Sequence, residues 1–596
     1  ARDWAPPAPG AAAAAPRRPA EELLAAVWAE VLRLDRVSVH DNFFDLGGDS
    51  ILSIQIVARA RRRGLVFEPR HLFEHQTIAE LAAVAVAGDG AGGGAGAEQG
   101  LVVGPLPLSP IQLWFLETER ADPHHFNQSV LLASRQPLRR ADLARLAQVV
   151  QRLLGHHDAL RLRLARGVDG WEQRLAGVEG PPPCHAVDLG ALPPAARAAA
   201  VESCAAAVQA SLDLAAGPLA RAALLLLGPG QPGRLLIAVH HWAIDGVSWR
   251  ILLEDLASAW EQAGRGEAIT LPPKTSSYRD WTLRLGQRAG EGALEQEAAY
   301  WRELAPATAG AKLPPSAAAG GAGGAGPAAA APRVVSLALA PAETGALLRQ
   351  VPEVYHTRID EVLLSALARA FAARSGERGL LLDLEGHGRE DLGGGLDLTR
   401  TIGWFTAIYP VWLALADPAD PGACLLAVKE QLRRVPGRGV GYGLLRYLRA
   451  GAARAELAAL PQPEIAFNYL GQLDQALPAE APFAPAYESR GPEQSPRARR
   501  RHRLEISAVI VGGVFRTTWT YDPARFASAE VEPLAAAFLA ALRDTVEHCR
   551  SRQGSERAPA DFLGAGLDAE LLARALAEIG AANEACPGRA AVSDSA

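Results

Sequence analysis

Two adjacent histidines, followed by an aspartate and a glycine, are the first residues of the sequence whose types and spacing suggest chemistry. They lie in segment 240–246, HHWAIDG, which gives the pattern HHxxxDG with His240, His241, Asp245 and Gly246. An imidazole changes its charge near neutral pH and can take up or release a proton in a cleft. The pattern alone leaves three interpretations open: two structural histidines, a metal site, or one histidine acting as an acid or base.

The spacing disfavours a metal site. Neighbouring residues of a strand point to opposite faces of a sheet, so His240 and His241 are badly placed to bind one ion. The chain has no HExxH pattern and no cysteine pairs with zinc spacing, because its five cysteines are widely scattered. An odd number of scattered cysteines also argues against a disulfide framework and is typical of a reducing compartment. We therefore predict no metal and a cytoplasmic location.

Two further segments each contain a residue suited to a reaction. Ser50 ends DNFFDLGGDS (41–50), where two glycines and an aspartate would expose it at the start of a helix. An ordinary helix N-cap is the alternative interpretation of Ser50. Glu385 opens EGHGRE (385–390), directly after the apolar run GLLLDL, where it begins a glycine-flanked turn. The alternative interpretation of Glu385 is a solvent-exposed loop carboxylate.

The segments around the histidines predict how they are positioned. Residues 235–239, LLIAV, have the length and composition of a buried strand. The following VSWRILLEDLASAW predicts a helix capped by Ser248. Its predicted core face consists of Ile251, Leu252, Leu256 and Trp260. A strand end that leads into a helix holds side chains rigidly and leaves them open to a cleft, so we expect both histidines at the strand end and Asp245 and Gly246 in the turn.

The length and composition predict several globular domains. The 596 residues exceed what one hydrophobic core organises, and 49% hydrophobic with 21% charged residues is ordinary for a globular protein. The net charge of -6 gives no reason to expect nucleic acid as a partner. The sequence contains no apolar run of about 18 residues that would predict a membrane span. The chain has no Met, so we expect it to be a piece of a longer protein.

The segment around Ser50 resembles the attachment site of a peptidyl carrier protein domain from nonribosomal peptide synthetases. The matching residues are LGGDS within DNFFDLGGDSI, and the resemblance covers residues 17–88, behind a linker at 1–16. It implies a small all-α four-helix carrier bundle in which Ser50 bears a covalent 4'-phosphopantetheine arm. A phosphopantetheinyl transferase using coenzyme A would install the arm. Residues 89–103 then form a flexible Gly/Ala-rich linker.

A series of motifs after residue 104 resembles the condensation-domain superfamily of the same synthetases. In order, they are LSPIQLWFLE (108–117), HHFNQSVLL (124–132), HHDALRLRL (156–164), HHWAIDG (240–246) and LPPKTSSYRDW (271–281). Within that superfamily EGHGRE marks epimerisation domains, and DLTRTIGWFTAIYPV (397–411) and FNYLGQLD (467–474) agree with this subtype. The resemblance implies a two-lobed α/β domain, similar to chloramphenicol acetyltransferase, with a cleft between its lobes.

The resemblance also suggests boundaries and partners. We predict an epimerisation domain over 104–550, with lobes at 104–305 and 333–550 joined near the low-complexity stretch 313–332. Residues 551–596 would be either a simple linker or a docking segment, with both alternatives open. The implied partners are an upstream adenylation domain and a downstream condensation domain or synthetase subunit.

The implied reaction is inversion, from L to D, at the Cα atom of an aminoacyl or peptidyl thioester carried at Ser50. His241 and Glu385, one from each lobe, would act as acid/base groups across the cleft. A two-base scheme would place one group on each face of the planar intermediate, whereas in a one-base scheme Glu385 would move both protons and His241 would stabilise the oxyanion. The sequence leaves both open, and we prefer Glu385 as the principal proton-transfer group. Asp245 would be structural through an arginine partner, and His240 and Gly246 would support the site. The alternatives are a condensing acyltransferase, which has no need of EGHGRE, and a non-catalytic epimerase-like docking module.

Overall fold

The structure is a computed structural model. It describes residues 15–32, 34–44, 46–48, 50–88, 97–118, 121–168, 170–307, 332–472, 480–498, 500–523, 525–552 and 558. Most of the predicted linker at 1–16, residues 89–96 of the second linker, nearly all of the stretch 313–332 and most of the segment 551–596 lie outside the described residues.

The described residues form helices and strands in the following order. The helices are α1 (Pro19–Leu32), α2 (Ser50–Arg62), α3 (Pro69–Glu74), α4 (Ile78–Val84), α5 (Pro110–Glu117), α6 (Asp142–His156), α7 (Pro194–Gln209), α8 (Gly246–Gly264), α9 (Tyr278–Gly290), α10 (Leu294–Ala307), α11 (Pro341–Tyr355), α12 (Ile359–Ser375), α13 (Pro421–Arg433), α14 (Val440–Gly443), α15 (Ala452–Ala458) and α16 (Ser528–Ser551). The strands are β1 (Leu65–Val66), β2 (Val86–Ala87), β3 (Gly104–Leu106), β4 (Asn127–Pro137), β5 (Leu162–Arg166), β6 (Trp171–Leu175), β7 (Cys184–Asp188), β8 (Ala220–Leu226), β9 (Pro232–His240), β10 (Arg333–Ala338), β11 (Gly379–Gly386), β12 (Ala407–Ala414), β13 (Ile465–Gln472), β14 (Phe483–Pro485), β15 (Leu504–Val511) and β16 (Val514–Tyr521).

Helices α1 to α4 form a separate N-terminal bundle with its own core. Leu24, Val27 and Val31 recur at helical spacing along α1 and are buried, as the sequence predicted. The Trp28 ring packs edge-on against Phe43 at 5.2 Å between ring centroids. The short strands β1 and β2 pair antiparallel, an addition that the sequence did not predict. The all-α four-helix bundle is therefore confirmed, with a minimal β pair at its edge.

Each of the two lobes that follow the N-terminal bundle contains one large sheet, and strands β3, β6 and β5 form a further three-stranded sheet. The first lobe contains a five-stranded sheet in the order β14-β4-β9-β8-β7, and the second lobe a six-stranded sheet in the order β10-β16-β15-β13-β11-β12. Strand β14 comes late in the chain but pairs antiparallel with β4 of the first lobe. One contiguous apolar core extends through both lobes. This arrangement confirms the two-lobed α/β fold and shows that the second half of the chain completes the first lobe's sheet.

The strand and helix around the histidines agree with the sequence prediction except at the cap. Residues 235–239 lie within β9, and the four predicted core residues of α8 are buried. The N-cap is Asp245, however, whose side chain accepts a hydrogen bond from the backbone nitrogen of Ser248. Ser248 instead donates its hydroxyl to the carbonyl oxygen of Gly403 in the second lobe. The predicted Ser248 cap was therefore wrong, because Asp245 stands closer to the start of the helix and Ser248 is used for a tertiary contact.

Strand β11 extends further than predicted. The sequence placed Glu385 at the opening of a turn, but it is the penultimate residue of β11 and pairs with Ile408 of β12. The strand position fixes the direction of the Glu385 side chain, because residues along a strand alternate between the two faces.

Among the helices that the structure describes, none is long and apolar enough to cross a membrane.

Candidate active site between the two lobes

His240 is fully buried at the end of β9, and both of its ring nitrogens have partners. Its Nε2 lies 2.8 Å from the carbonyl oxygen of Pro123, and its Nδ1 accepts a hydrogen bond from the backbone nitrogen of Trp242 at 3.0 Å. A carbonyl oxygen only accepts, so Nε2 donates and the ring is in one neutral tautomer. These contacts make His240 a structural residue that fixes the turn after β9.

His241 is held in the opposite tautomer. Its Nδ1 lies 2.8 Å from the carbonyl oxygen of Ile244, so Nδ1 donates and the neutral ring carries its lone pair on Nε2. Nε2 lies 3.0 Å from the amide nitrogen of Gln128. The Gln128 amide cannot be reversed, because its Oε1 accepts a hydrogen bond of 2.7 Å from the indole nitrogen of Trp249. The neutral His241 ring therefore has its lone pair on Nε2, where the Gln128 amide donates, and Nε2 can accept a proton once that bond is given up.

Aromatic rings from both lobes enclose the His241 imidazole. The Phe126 ring, just before β4, stacks on it at 5.3 Å between centroids with an interplanar angle of 11°. The Trp404 ring, just before β12, lies at 4.6 Å with an angle of 37°. Such apolar surroundings exclude water and strengthen electrostatic interactions at the imidazole. The second lobe is therefore part of the immediate environment of a first-lobe histidine.

Asp245 ties the HHxxxDG turn to the second lobe. In addition to capping α8, its carboxylate accepts a hydrogen bond from the backbone nitrogen of Phe405 at 3.0 Å. Nη2 of Arg389, from the EGHGRE segment, lies 3.3 Å from Oδ1 of Asp245 and 2.8 Å from the Ser248 hydroxyl. Arg389 also donates to the carbonyl oxygens of Leu398 and Thr401. The resemblance implied an arginine partner for Asp245, and Arg389 occupies that position.

Gly246 has no steric reason to be glycine in the described structure. A Cβ atom built on it would meet no described atom within 4 Å, and its φ angle lies outside the left-handed region. Gly388, in EGHGRE, differs because its φ is +67° and a Cβ atom would lie 1.8 Å from the carbonyl oxygen of Phe405. The glycine that the fold requires at this site is therefore Gly388.

We predict that Arg389→Met destabilises the fold while Arg438→Met does not. Arg389 is 6% exposed, and removing it leaves the buried Asp245 carboxylate without its cation. Breaking one side of a buried charge pair lowers the free energy of unfolding by about 3–5 kcal/mol. Arg438 is a suitable control because its side chain is 32% exposed. Urea unfolding of both variants tests this, and a change under about 0.5 kcal/mol for Arg389→Met would contradict it.

Glu385 is a carboxyl group whose environment favours the protonated form. Burial raises its pKa to about 7; the nearby Glu505 and Asp383 carboxylates act in the same direction, and His502 opposes them. The amide nitrogen of Asn468, on β13, donates a hydrogen bond of 2.6 Å to Oε2 of Glu385. A carboxyl group with a pKa near neutrality can both accept and return a proton.

Segment 404–408 connects the surroundings of His241 and Glu385. Its Trp404 ring contacts the His241 ring, and its Ile408 pairs with Glu385 in the β11–β12 ladder. Residues directly opposite in an antiparallel pair share one face of the sheet, with Cβ atoms about 4.5–5.5 Å apart. A cavity of about 30 Å³ adjoins this segment, and Trp404 and Ile408 are among its lining residues. Neither His241 nor Glu385 lines that cavity.

The N-terminal bundle contacts both lobes through helix α2 and the loop before it. The carbonyl oxygen of Gly47, three residues before Ser50, accepts a hydrogen bond of 3.3 Å from Gln472 on β13. At the other end of α2, Arg61 pairs with Asp397, and Nη1 of Arg62 lies 3.0 Å from Oε1 of Glu254 on α8. Helix α2, which begins at Ser50, therefore lies beside both lobes.

Three side chains away from this site could in principle bind a metal ion. They are His156, His157 and Asp255, and their potential metal-binding atoms lie within 4.8 Å of one another. Nε2 of His157 is already 2.9 Å from Oδ2 of Asp255, and Arg400 pairs with the other carboxylate oxygen. Burial and the neighbouring His157 lower the pKa of His156 to about 3. A cation would have to displace these bonds beside the Arg400 guanidinium, so the cluster is better explained as a structural network.

Sequence reasoning missed three residues that hold the site together. Gln128 and Asn468 orient His241 and Glu385, and Trp404 packs on the imidazole. All three lie in strings that carried the resemblance, HHFNQSVLL, FNYLGQLD and DLTRTIGWFTAIYPV, but no role was assigned to them. Their presence in the matching strings was the only sequence feature that could have indicated a role for them.

Known proteins match the chain along most of its length. The family described as "Condensation domain" matches residues 102–566, and "Phosphopantetheine attachment site" matches residues 22–85. A linear gramicidin synthase of Brevibacillus parabrevis is 45% identical over 571 residues, which is 94% of this chain and 7% of that protein. Surfactin synthase subunit 1 of Bacillus subtilis (strain 168) is 36% identical over 552 residues, covering 92% of this chain and 15% of that protein. This chain thus spans a small part of these relatives' length.

Solved structures also match. The epimerization domain from the third module of tyrocidine synthetase B is 34% identical, with a TM-score of 0.69, and the match covers 76% of this chain and 98% of that one. The first condensation domain of the calcium-dependent antibiotic synthetase shares the fold at 20% identity, with a TM-score of 0.56, over 75% of this chain and 96% of that one.

Proposed function

Because this chain belongs to the condensation-domain family of nonribosomal peptide synthetases, with a phosphopantetheine attachment domain before it, we propose that it epimerises a carrier-bound thioester. The substrate is an aminoacyl or peptidyl group, inverted from L to D at Cα. The observation that carries the proposal is Glu385, a half-buried carboxyl group with a pKa of about 7 that accepts a hydrogen bond from Asn468. Peptide-bond formation gives no reason to maintain such a group in EGHGRE, whereas removal of an α-proton requires one.

His241 and Glu385 are the proposed acid/base pair. In its present tautomer the neutral His241 ring accepts a proton at Nε2, which suits a base. Glu385, which lies on β11 of the second lobe, is proposed to accept or return a proton on the other face of the substrate. We propose a two-base scheme in which ionised Glu385 removes the α-proton and His241, once it carries a proton on Nε2, delivers that proton to the opposite face. Asp245, His240 and Gly246 are proposed to hold the turn, with Gly246 contributing the first residue of α8.

Ser50 is the proposed attachment point of 4'-phosphopantetheine, the group that this carrier family bears. The loop before it is fixed by backbone hydrogen bonds from Gly47 to Phe44 and from Gly48 to Phe43, each of 2.9 Å. A Cβ atom at Gly48 would lie 2.5 Å from the Phe43 ring, so glycine is required there. These contacts hold the start of α2 in a defined place, which fits an attachment site. The bound group supplies a thiol that holds the acyl substrate as a thioester.

The ion pairs of α2 are proposed to position the N-terminal bundle, which is the carrier, for delivery. Burial opposes ionisation of Glu254, but Arg400 and Arg62 lower its pKa overall, so it is charged at neutral pH. Gln472, which contacts Gly47, lies four residues beyond Asn468, or roughly 13 Å along an extended strand. The carrier therefore contacts β13, the strand whose Asn468 donates a hydrogen bond to Glu385.

We predict that Arg62→Glu slows inversion of the carrier-bound substrate by about three- to tenfold, because a surface ion pair of modest strength becomes a repulsion. The rate with a free aminoacyl thioester should not change. Arg63→Glu is the matched control, because Arg63 pairs with Glu30 inside the bundle. Equal rates for Arg62→Glu and Arg63→Glu with the carrier-bound substrate would contradict this delivery contact.

A product assay separates this proposal from a condensing acyltransferase. The chain is loaded at Ser50 with an L-aminoacyl group and incubated with and without an aminoacyl thioester acceptor. We expect D-configured product in both reactions and no amide. Amide formation without D-product would favour the acyltransferase, and neither product, with loading confirmed across several amino acids, would favour a non-catalytic docking module.

A further inference from the structure

The proposed inversion, on which this inference rests, needs a hydrogen-bond donor that the acid/base pair does not supply. When the α-proton leaves, its electron pair moves into the thioester and negative charge develops on the carbonyl oxygen. A donor placed in advance at that oxygen lowers the barrier substantially in a dry site. In the neutral tautomer described above, His241 offers only a lone pair at Nε2.

Three side-chain N–H groups near the site already have acceptors within it. The Gln128 amide nitrogen points to His241, and the Asn468 amide nitrogen points to Glu385. Nδ1 of His241 donates to the carbonyl oxygen of Ile244. Each of these bonds maintains the acid/base pair itself. A donor on another residue would leave these bonds intact while the oxyanion forms.

Trp404 has a buried donor without a partner. The side chain is 2% exposed, and its indole nitrogen makes no hydrogen bond to any residue that the structure describes. Buried indole N–H groups normally find a partner, and one left without a partner lowers stability. Trp28, Trp301 and Trp519 also have indole nitrogens without a partner among the described residues, so the case for Trp404 depends on its place beside His241.

The position of Trp404 is fixed by both lobes. Its carbonyl oxygen accepts a hydrogen bond of 2.9 Å from the hydroxyl of Tyr278, and the next backbone nitrogen, of Phe405, donates to Asp245. Its ring packs against Phe115 at 6.0 Å and against His241 at 4.6 Å between centroids. A donor held this firmly needs little reorganisation during the reaction.

Trp404 also belongs to the segment that connects the surroundings of the two proposed acid/base groups. Its ring contacts His241 and lines the small cavity that Ile408 lines as well. Ile408 is the cross-strand partner of Glu385. A substrate carbonyl group beside this segment would lie next to the Trp404 ring.

We propose that the indole N–H of Trp404 is the oxyanion donor of the inversion: it hydrogen-bonds the substrate's thioester carbonyl oxygen and stabilises the enolate formed when the α-proton is removed. The electron pair returns to Cα when the second group delivers its proton, and the indole keeps its own proton throughout. Trp404 is then a third catalytic residue, in contact with the reacting atoms.

Trp404→Phe tests the proposal because it keeps an aromatic ring against His241 and removes only the donor and the second ring. With the L-aminoacyl group loaded at Ser50, we expect kcat for inversion to fall by about 100-fold, the usual effect of losing one oxyanion donor. Exchange of the α-proton with solvent deuterium should fall by the same factor. The matched control is Trp519→Phe, whose buried indole nitrogen also lacks a partner among the described residues but packs against Phe538 of α16.

A second replacement separates loss of the donor from loss of packing. Site-specific incorporation of benzothienylalanine at position 404 keeps the bicyclic shape and replaces N–H by sulfur. We expect the same loss of kcat as for Trp404→Phe, with an unchanged melting temperature. A rate within twofold of the unmodified chain, for the benzothienyl form or for a folded Trp404→Phe, would overturn the proposal. Absence of inversion in the unmodified chain would instead refute the proposed function.

Discussion

Replacing Glu385 with Gln is expected to lower the rate of inversion by about 10²–10⁴-fold, the usual contribution of a general acid/base group. Glutamine has the same shape and its oxygen can still accept the hydrogen bond from Asn468, which donates at 2.6 Å to Glu385. It cannot accept the α-proton. Steady-state formation of D-product from the carrier-bound L-substrate measures the effect, and near-full conversion by the variant would remove Glu385 from the mechanism.

Proton abstraction by Glu385 should become faster as the pH rises. Burial raises the pKa of Glu385 to about 7, so the basic form is lost as the pH falls through about 7. The rate of proton abstraction by Glu385 should therefore rise between about pH 6 and pH 8. Glu505→Gln is the matched control, because its carboxylate raises the pKa of Glu385. That variant should stay active, with the midpoint of its pH profile moved to lower pH.

The same shift predicts how stability changes with pH. The pKa of Glu385 is higher in the folded state, about 7, than its ordinary value of 4.5, so folding favours the protonated form. Glu385 therefore contributes stability at low pH that is lost as the pH rises from about 4.5 to about 7. Glu385→Gln should match the native chain at pH 5 and be more stable at pH 8, by about 1–3 kcal/mol. Equal stability of the two proteins at pH 8 would contradict the raised pKa.

Substituting Ser50 with Ala is expected to abolish activity on the carrier-bound substrate completely. Ser50 is the first residue of α2, and the hydroxyl is the proposed acceptor of the phosphopantetheine group. Without it no thioester can be held by the chain, whatever the state of His241 and Glu385. Intact-mass measurement after incubation with a phosphopantetheinyl transferase and coenzyme A should show no added mass on Ser50→Ala.

Ser53→Ala is the matched control for that experiment, since Ser53 is a buried serine on the same helix. It should accept the phosphopantetheine group as the native chain does. Modification of the Ser50→Ala variant at any other residue would contradict the assignment of Ser50. A free aminoacyl thioester should remain a substrate for Ser50→Ala, because the proposed acid/base pair is unchanged.

The sequence predicted the backbone positions of the site well, because they depend on local patterns. An apolar run before HHxxxDG predicted β9, and the apolar run before EGHGRE predicted β11. The sequence prediction assigned the wrong N-cap to α8, because two nearby residues, Asp245 and Ser248, both have side chains that can cap a helix. Local spacing does not show which of the two caps the helix, because the hydrogen bond from Ser248 to Gly403 forms only in the folded protein.

The hydrogen-bond partners could not be predicted in the same way. Gln128 lies 113 residues from His241, and Asn468 lies 83 residues from Glu385. Which side chains meet across such separations depends on sheet order and register, here the pairing of β4 with β9 and of β11 with β13. Nothing in the composition or periodicity of one strand specifies its neighbour. The tautomer of His241 and the raised pKa of Glu385 therefore became visible only in the folded structure.

Inversion by proton exchange at His241 and Glu385 is tested most directly in D2O. The chain is loaded at Ser50 with L-aminoacyl and dipeptidyl groups, and the released product is analysed for chirality and mass together. We expect D-product carrying one deuterium, with His241→Ala and Glu385→Gln both failing to invert. Unchanged L-product without deuterium, across a broad panel of substrates and with loading confirmed, would contradict the proposed inversion.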